Sequence, residues 1–190
     1  MTSLSSLPKD AREKVLKAWR RSSETITSHT SSGTGWVIER MHPSKKNKMS
    51  TLENAISLAT ESHKGQTDKN GDPYILHPLR VMARVQSNTE KIAAVLHDVI
   101  EDTDYTIENL REKGYSKEVL EAIDCLTKRD GEDYDEYLQR SKSNSIARKV
   151  KIADLEDNMD VRRFNILKEG DFKRINKYLR VWKSLAKAGN

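Results

Sequence analysis

The segment at residues 90–102, EKIAAVLHDVIED, restricts the possible folds of this chain more than any other. Good helix formers there carry a wide apolar face of Ile92, Ala93, Val95, Leu96 and Val99, which predicts a central and largely buried helix. Into that helix the sequence sets His97 and Asp98, with Glu101 four residues after the first and Asp102 four after the second. A helix repeat places one imidazole and three carboxylates over little more than a turn. Such groups repel at the end of an apolar helix unless a cation, a proton or solvent relieves them. A divalent metal would do so, and a His nitrogen with an Asp oxygen suits Mn, Fe, Co or Zn better than Ca or Mg. On this segment alone, a solvated carboxylate cluster remains the alternative.

The neighbouring segments repeat the helical pattern. Ser50-Thr-Leu-Glu53 has the form of a capping box, and Leu52, Ala55, Ile56 and Ala59 recur on one face as far as His63. Asn70-Gly71 marks a turn, after which Leu79, Val81, Met82 and Val85 predict a helix starting close to His77-Pro78. Thr106 and Ser116 are caps for short helices, 133–141 adds another, and 145–164 and 171–188 complete the set. The last places Tyr178, Val181, Trp182 and Leu185 at three-and-four spacing. No segment carries a strand signal, so the expected class is all-α, a helical bundle with unequal connections.

Charge and composition narrow the function classes. Residues 1–50 carry ten Lys/Arg against four Asp/Glu, and the remainder 24 against 25, so the formal +5 comes from the leader. The expected organisation is a basic, partly irregular segment at 1–49 followed by a folded domain at 50–190. A catalytic region without net positive charge argues against nucleic acid as the partner. No apolar run approaches the roughly 18 residues of a membrane span, there is no secretory signal pattern, and the single Cys125 cannot form an internal disulfide. The expected location is the cytoplasm. The sequence leaves the oligomeric state open.

A second acidic helix, KIADLEDN, brings Asp154 and Asn158 onto one face, flanked by Val150, Ile152 and Ala153. The ordered set KGQTDKNGDPYILHP (64–78), AAVLHDVIEDT (93–103) and VKIADLEDN (150–158) resembles the hydrolase domain of the RelA/SpoT homologues, within the HD phosphohydrolase superfamily. At this length the chain is most similar to the small alarmone hydrolases. The resemblance implies an HD-type helical bundle holding one Mn²⁺ through His77, His97, Asp98 and Asp154. It implies hydrolysis of the 3′-pyrophosphate of (p)ppGpp-type nucleotides with release of pyrophosphate. Glu101 and Asp102 then match the catalytic pair, and Lys69, Tyr74 and Asn158 are the candidate substrate contacts. Two alternatives stay beside it: another HD phosphohydrolase, such as an NADPH or nucleotide phosphatase, and a silent nucleotide-binding module.

The chain departs from the family pattern where the base is expected. Asp68-Lys69 stands in place of the usual Arg-Lys, Glu156-Asp157 replace basic or neutral residues, and the continuation reads Asn158-Met159-Asp160-Val161-Arg162. A planar guanidinium can stack on a base as a carboxylate cannot. Asp68 would repel phosphates if it pointed inward. Alternatively it turns to solvent, and Lys69 or a nearby arginine takes over the stacking. Weakened guanine selectivity is the expectation, with Asp68→Arg shifting preference towards guanine. His63 is read as a helix-end histidine with a structural hydrogen bond, Cys125 as a small buried side chain, and Trp182 as core. His29 and His42 are read as solvated residues of the leader.

Overall fold

The computed structural model describes residues 49–188. The basic leader, with His29 and His42, lies outside the described residues except for Met49. Among the described residues every regular element is helical, and the one extended pairing is an isolated bridge between Thr67 and Pro73. None of these helices is long and apolar enough to cross a membrane.

Helix α1 (Leu52–Ser62) is capped by Thr51, one residue after the predicted cap Ser50. Thr51 Oγ1 accepts the amide N–H of Asn54, and the Asn54 side chain accepts the Thr51 amide in return. Ser50 is used differently. Its amide and hydroxyl donate to the carbonyls of Gly114 and Lys113, fastening the start of α1 to a distant turn. Helix α2 (Leu76–Ala83) follows a turn in which Gly71 adopts φ +88°, a conformation only glycine takes freely. Asp68 Oδ1 closes that turn by accepting the amides of Asn70 and Asp72.

The predicted single helix at 90–102 is two. Helix α3 (Asn88–Leu96) stops before His97, and a short α4 (Val99–Asp102) resumes after Asp98. The His97 ring supplies the reason, because its Nδ1 bonds the Ala94 carbonyl at 2.7 Å. That oxygen is the one an uninterrupted helix would offer to the Asp98 amide. The side chain therefore competes for the helix's own acceptor, and the break lies at the two residues with the most chemistry.

Helices α5 (Ile107–Glu112), α6 (Lys117–Leu126) and α7 (Tyr134–Ser143) are capped by Thr106, Ser116 and Asp133. Helix α8 (Ser145–Asn158) ends before a 3₁₀ turn at Val161–Arg163, so the predicted run at 145–164 is divided, and α9 (Glu169–Lys187) closes the described chain. Helix α3 is central and packs against α1, α2, α6 and α8. Its larger residues, Ile92, Val95 and Leu96, join a core with Ala55, Ala59, Leu110 and Ile123. Its small ones, Ala93 and Ala94, meet Val81, Ala147, Val150 and Ala153. Alanines at this crossing let α2, α3 and α8 approach closely, which brings together the ends that carry His77, His97 and Asp154. Removing the fully buried Leu96 side chain would cost ~2–5 kcal/mol by cavity formation.

On the far side of α8, Val181 and Leu185 of α9 bury against Leu155, with Trp182 and Tyr178 partly covered. Trp182 Nε1 donates to Glu156 Oε1 at 3.0 Å, in keeping with its reading as core. Cys125 is half-buried rather than fully enclosed, and burial raises its thiol pKa, which disfavours the thiolate.

Candidate active site

His77, His97 and Asp154 reach one point from three helices. One ligand atom from each lies within 4.8 Å of the others, and all three residues are buried. The rings are oriented from behind. His77 Nδ1 is 2.8 Å from Asp157 Oδ2 and His97 Nδ1 faces the Ala94 carbonyl, so both histidines turn Nε2 towards the common centre. Fixing one ring nitrogen in this way leaves the other free as a lone pair, as in a histidine prepared for a metal.

Asp98 completes the group, its Oδ2 lying 3.0 Å from His97 Nε2 and 3.6 Å from His77 Nε2. Despite that proximity the buried His97 Nε2 has no hydrogen-bond partner. An unmatched buried nitrogen costs about 1–3 kcal/mol. Two imidazoles and two carboxylates around such an atom are a donor set that fits a borderline divalent ion.

The charges in the group support one another. Burial pushes the His77 imidazolium down, but hydrogen bonding to Asp154 and Asp157 and the charge of Asp98 overcome it, raising its pKa to about 9. The same contest raises His97, through Asp98 and Asp154. Burial raises the Asp154 carboxyl, yet Lys151 and the two histidines hold it well below the usual range. Asp98 is likewise held down by His97 against its own burial.

Glu101 and Asp102 go the other way. Burial and the nearby Asp98 charge raise both, so they are better proton acceptors than ordinary surface carboxylates. They stand beside the cluster rather than in it. Glu101 accepts the Lys128 amide, while Asp102 lies near Tyr74, whose hydroxyl donates to Asp98 Oδ2 at 2.6 Å.

A cavity of 440 Å³ opens from the centre, walled by His77, Asp98 and Asp154 at one end and by Lys69, Arg163 and Arg174 elsewhere, with Tyr134, Phe164 and Tyr178 also lining it. Lys69, Tyr74 and Asn158 all line this cavity. Glu101 and Asp102 do not line it. The Asn158 amide donates to Asp154 Oδ1, which engages one of its donors with a carboxylate of the cluster. A larger groove of 920 Å³ runs past Arg111, Lys117 and Cys125, far from these groups, and nothing in its lining resembles the cluster.

Several supporting residues escaped the sequence reading. Lys151 Nζ lies 2.8 Å from Asp154 Oδ2 and over the Tyr137 ring. Asp157, completely buried, accepts from His77, Arg80 Nε and Arg163 Nη1, and these cations lower its pKa to about 2. It therefore supports His77 from behind and also holds Arg163 in the cavity wall. Asp68 lines the cavity, with its carboxylate engaged by the protein rather than turned to solvent. Its Oδ1 holds the turn and its Oδ2 accepts from Arg163 Nη2 at 3.1 Å. His63 is buried with its Nδ1 2.8 Å from Gln66 Oε1, which is the structural bond expected of it.

No protein-family model matches the chain. A probable GTP pyrophosphokinase of Mycobacterium leprae is 36% identical over 132 residues, which is 63% of this chain and 17% of the relative. A guanosine-3′,5′-bis(diphosphate) 3′-pyrophosphohydrolase of Vibrio cholerae is 38% identical over 87 residues, 44% of this chain and 12% of the relative. Over the matched residues the chain is similar to RelA/SpoT homologues, and its all-helical fold is of the HD type. It spans less than a fifth of the length of these curated RelA/SpoT relatives. A solved structure, reported as a metazoan ortholog of SpoT that hydrolyzes ppGpp, superposes with a TM-score of 0.53 at 22% identity. The match covers 72% of this chain and 92% of that one, and it places the described helices in the same fold.

Proposed function

We propose that this protein is a metal-dependent nucleotide 3′-pyrophosphohydrolase acting on (p)ppGpp-type nucleotides, adenosine analogues included, in the cytoplasm. The observation that carries the reading is the convergence of two histidine Nε2 atoms with Asp154 at the end of a cavity lined by cations and aromatic rings. His77, His97, Asp98 and Asp154 would hold one divalent ion, Mn²⁺ by the family resemblance. Bound there, such an ion supplies an activated water and polarises a phosphoryl oxygen.

The chain's own groups divide the remaining work. Glu101 and Asp102, whose pKa values move up while that of Asp98 moves down, are matched to taking a proton from water. The water oxygen bonds to the phosphorus attached to the 3′ oxygen, the bond between them breaks, and the proton passes to the leaving 3′ oxygen. Pyrophosphate and a nucleotide with a free 3′ hydroxyl result. Lys151 keeps Asp154 ionised and oriented. Lys69 and Arg174 supply positive charge for phosphates along the cavity, and Tyr74 and Asn158 complete the contacts near the reacting end.

The test is incubation with Mn²⁺ and a panel of guanosine and adenosine 3′-pyrophosphates, NADPH and simple nucleotides, with a chelator control. Pyrophosphate released only in the presence of metal, and only from the 3′-pyrophosphates, is the expected result. Orthophosphate from NADPH would assign the site to a different phosphohydrolase, and binding without turnover would make it a nucleotide-binding module.

A further inference from the structure

The cavity wall contains an arginine whose position is unusually fixed and which shares Asp157 Oδ2 with His77. Arg163 sits in the 3₁₀ turn after α8, with its side chain 21% exposed and lining the cavity. Nη1 donates to the Asp157 carbonyl at 2.9 Å and to Asp157 Oδ2 at 2.6 Å, while Nη2 donates to Asp68 Oδ2 at 3.1 Å. Its own carbonyl accepts the Asn70 side chain at 2.6 Å. Both terminal nitrogens are therefore committed, from two sides, to carboxylates of the protein.

A guanidinium held by in-plane hydrogen bonds keeps its flat faces for stacking, and a planar cation stacks on aromatic systems. Phe164 follows it, and Tyr178 of α9 also lines the cavity, so planar surfaces share its wall. We propose that Arg163, clamped between Asp68 and Asp157, is the platform on which the nucleobase lies, and that it makes the cavity tolerant of adenine as well as guanine. The inference rests on the nucleotide reading above and assigns its base-binding element.

Tolerance follows from the hydrogen bonds. Purines differ at their edges, not in having a π-face, and a guanidinium that meets the base by its face, with three of its N–H groups bonded to Asp157 and Asp68, does not read an edge. Asp68 thus acts through Arg163 as a positioning residue. Its carboxylate is turned to the clamp and the turn.

The experiment measures binding of GDP, ADP and inorganic pyrophosphate to the Mn²⁺-loaded full chain by calorimetry, for wild type, Arg163→Lys and Asp68→Asn, with metal content assayed in parallel. Wild type should bind GDP and ADP within a few-fold of each other. Arg163→Lys keeps the charge and a donor for Asp157 but not the plane, and should weaken both by about tenfold, equivalent to about 1.4 kcal/mol, and by clearly more than it weakens pyrophosphate binding, with metal retained. Asp68→Asn, which retains an oxygen for the turn, should weaken both nucleotides less and create no guanine preference. Equal losses for pyrophosphate and nucleotides, or lost metal, would make Arg163 a strut of the metal end and overturn the platform. Unchanged GDP and ADP binding in Arg163→Lys would overturn it too. A wild type that binds neither nucleotide would instead overturn the nucleotide reading itself, and the platform with it.

Discussion

The two ends of the cavity are built on different principles. At the metal end, His77, His97, Asp154 and Asp157 are all less than 7% exposed, and the ring nitrogens turned away from the centre are fixed by a carboxylate or a carbonyl. At the nucleoside end, Lys69 and Asn70 are exposed and much of the wall comes from loops and from one face of α9. A buried polar group without a partner costs more than an exposed one, so the first end permits few residue sets. The second can exchange charges at the rim while the chemistry stays in place. Arg163 joins the two, donating to Asp157 Oδ2 on one side and to Asp68 Oδ2 on the other.

The largest effect that would sharpen this contrast is expected at Asp154. Asp154→Ala should abolish metal retention and hydrolysis together, because it removes a candidate ligand and leaves Lys151 buried beside no carboxylate. Metal content and turnover, assayed on the same preparation, decide it, and retained metal at full stoichiometry would contradict the ligand assignment. Next in size, Glu101→Gln or Asp102→Asn should slow kcat by ~10²–10⁴-fold, the range for lost acid–base assistance, with metal content preserved. Near-wild-type turnover in both variants would remove the pair from the chemistry.

A smaller effect tests whether support from behind matters as much as direct contact. Asp157→Asn should lower metal affinity ~10–100-fold, as expected for an outer partner of a ligating histidine, measured by competition with a chromogenic chelator. An unchanged affinity would make Asp157 a purely structural anchor for Arg80 and Arg163.

The smallest expected effect is on stability against pH. With the His77 pKa raised to about 9 from 6.5, its contribution in metal-free protein is complete below pH 6.5 and is lost as pH rises through 9. Asp98 and Asp154, held below their ordinary value of 3.8, contribute above that pH and lose the contribution as pH falls through their lowered values. The Tm of metal-free protein should therefore decline from pH 6.5 to 9, and Mn²⁺, which needs the neutral imidazole, should remove that alkaline decline. A flat metal-free profile would show that the two histidines gain nothing from their carboxylates.

Apolar periodicity made the helical class readable, and motif resemblance made the meeting of His77, His97, Asp98 and Asp154 readable. His97, Asp98 and Asp154 stand out locally as polar residues on helices with apolar faces, whereas their grouping with His77 came from the ordered motifs of the resemblance. Lys151, Asp157 and Arg163 were not readable because their roles depend on pairings over distance. Arg163 meets Asp68 across 95 positions and His77 meets Asp157 across 80. A charged residue near a helix end looks the same whether it is wet or clamped. The cap of α1 was misplaced by one residue for a related reason, since Ser50 is taken by Gly114 and Lys113, a tie that no local pattern announces. The helix break at His97 escaped as well, because propensity weighs the backbone and here a ring nitrogen took the backbone's acceptor.

That break makes the length of α3 a fixed quantity. The helix has nine residues between its Ser87 cap and the point where His97 leaves it. Each residue turns the chain by about 100°, so deleting or inserting one within 88–96 would swing the imidazole to another side of the bundle and take Asp98 with it. Substitutions that keep the apolar face can accumulate there, whereas a change of length cannot be absorbed. Gene variants and engineered libraries of this protein should accordingly show α3 free in spelling and rigid in count, like a spacer cut to measure between a cap and a ligand.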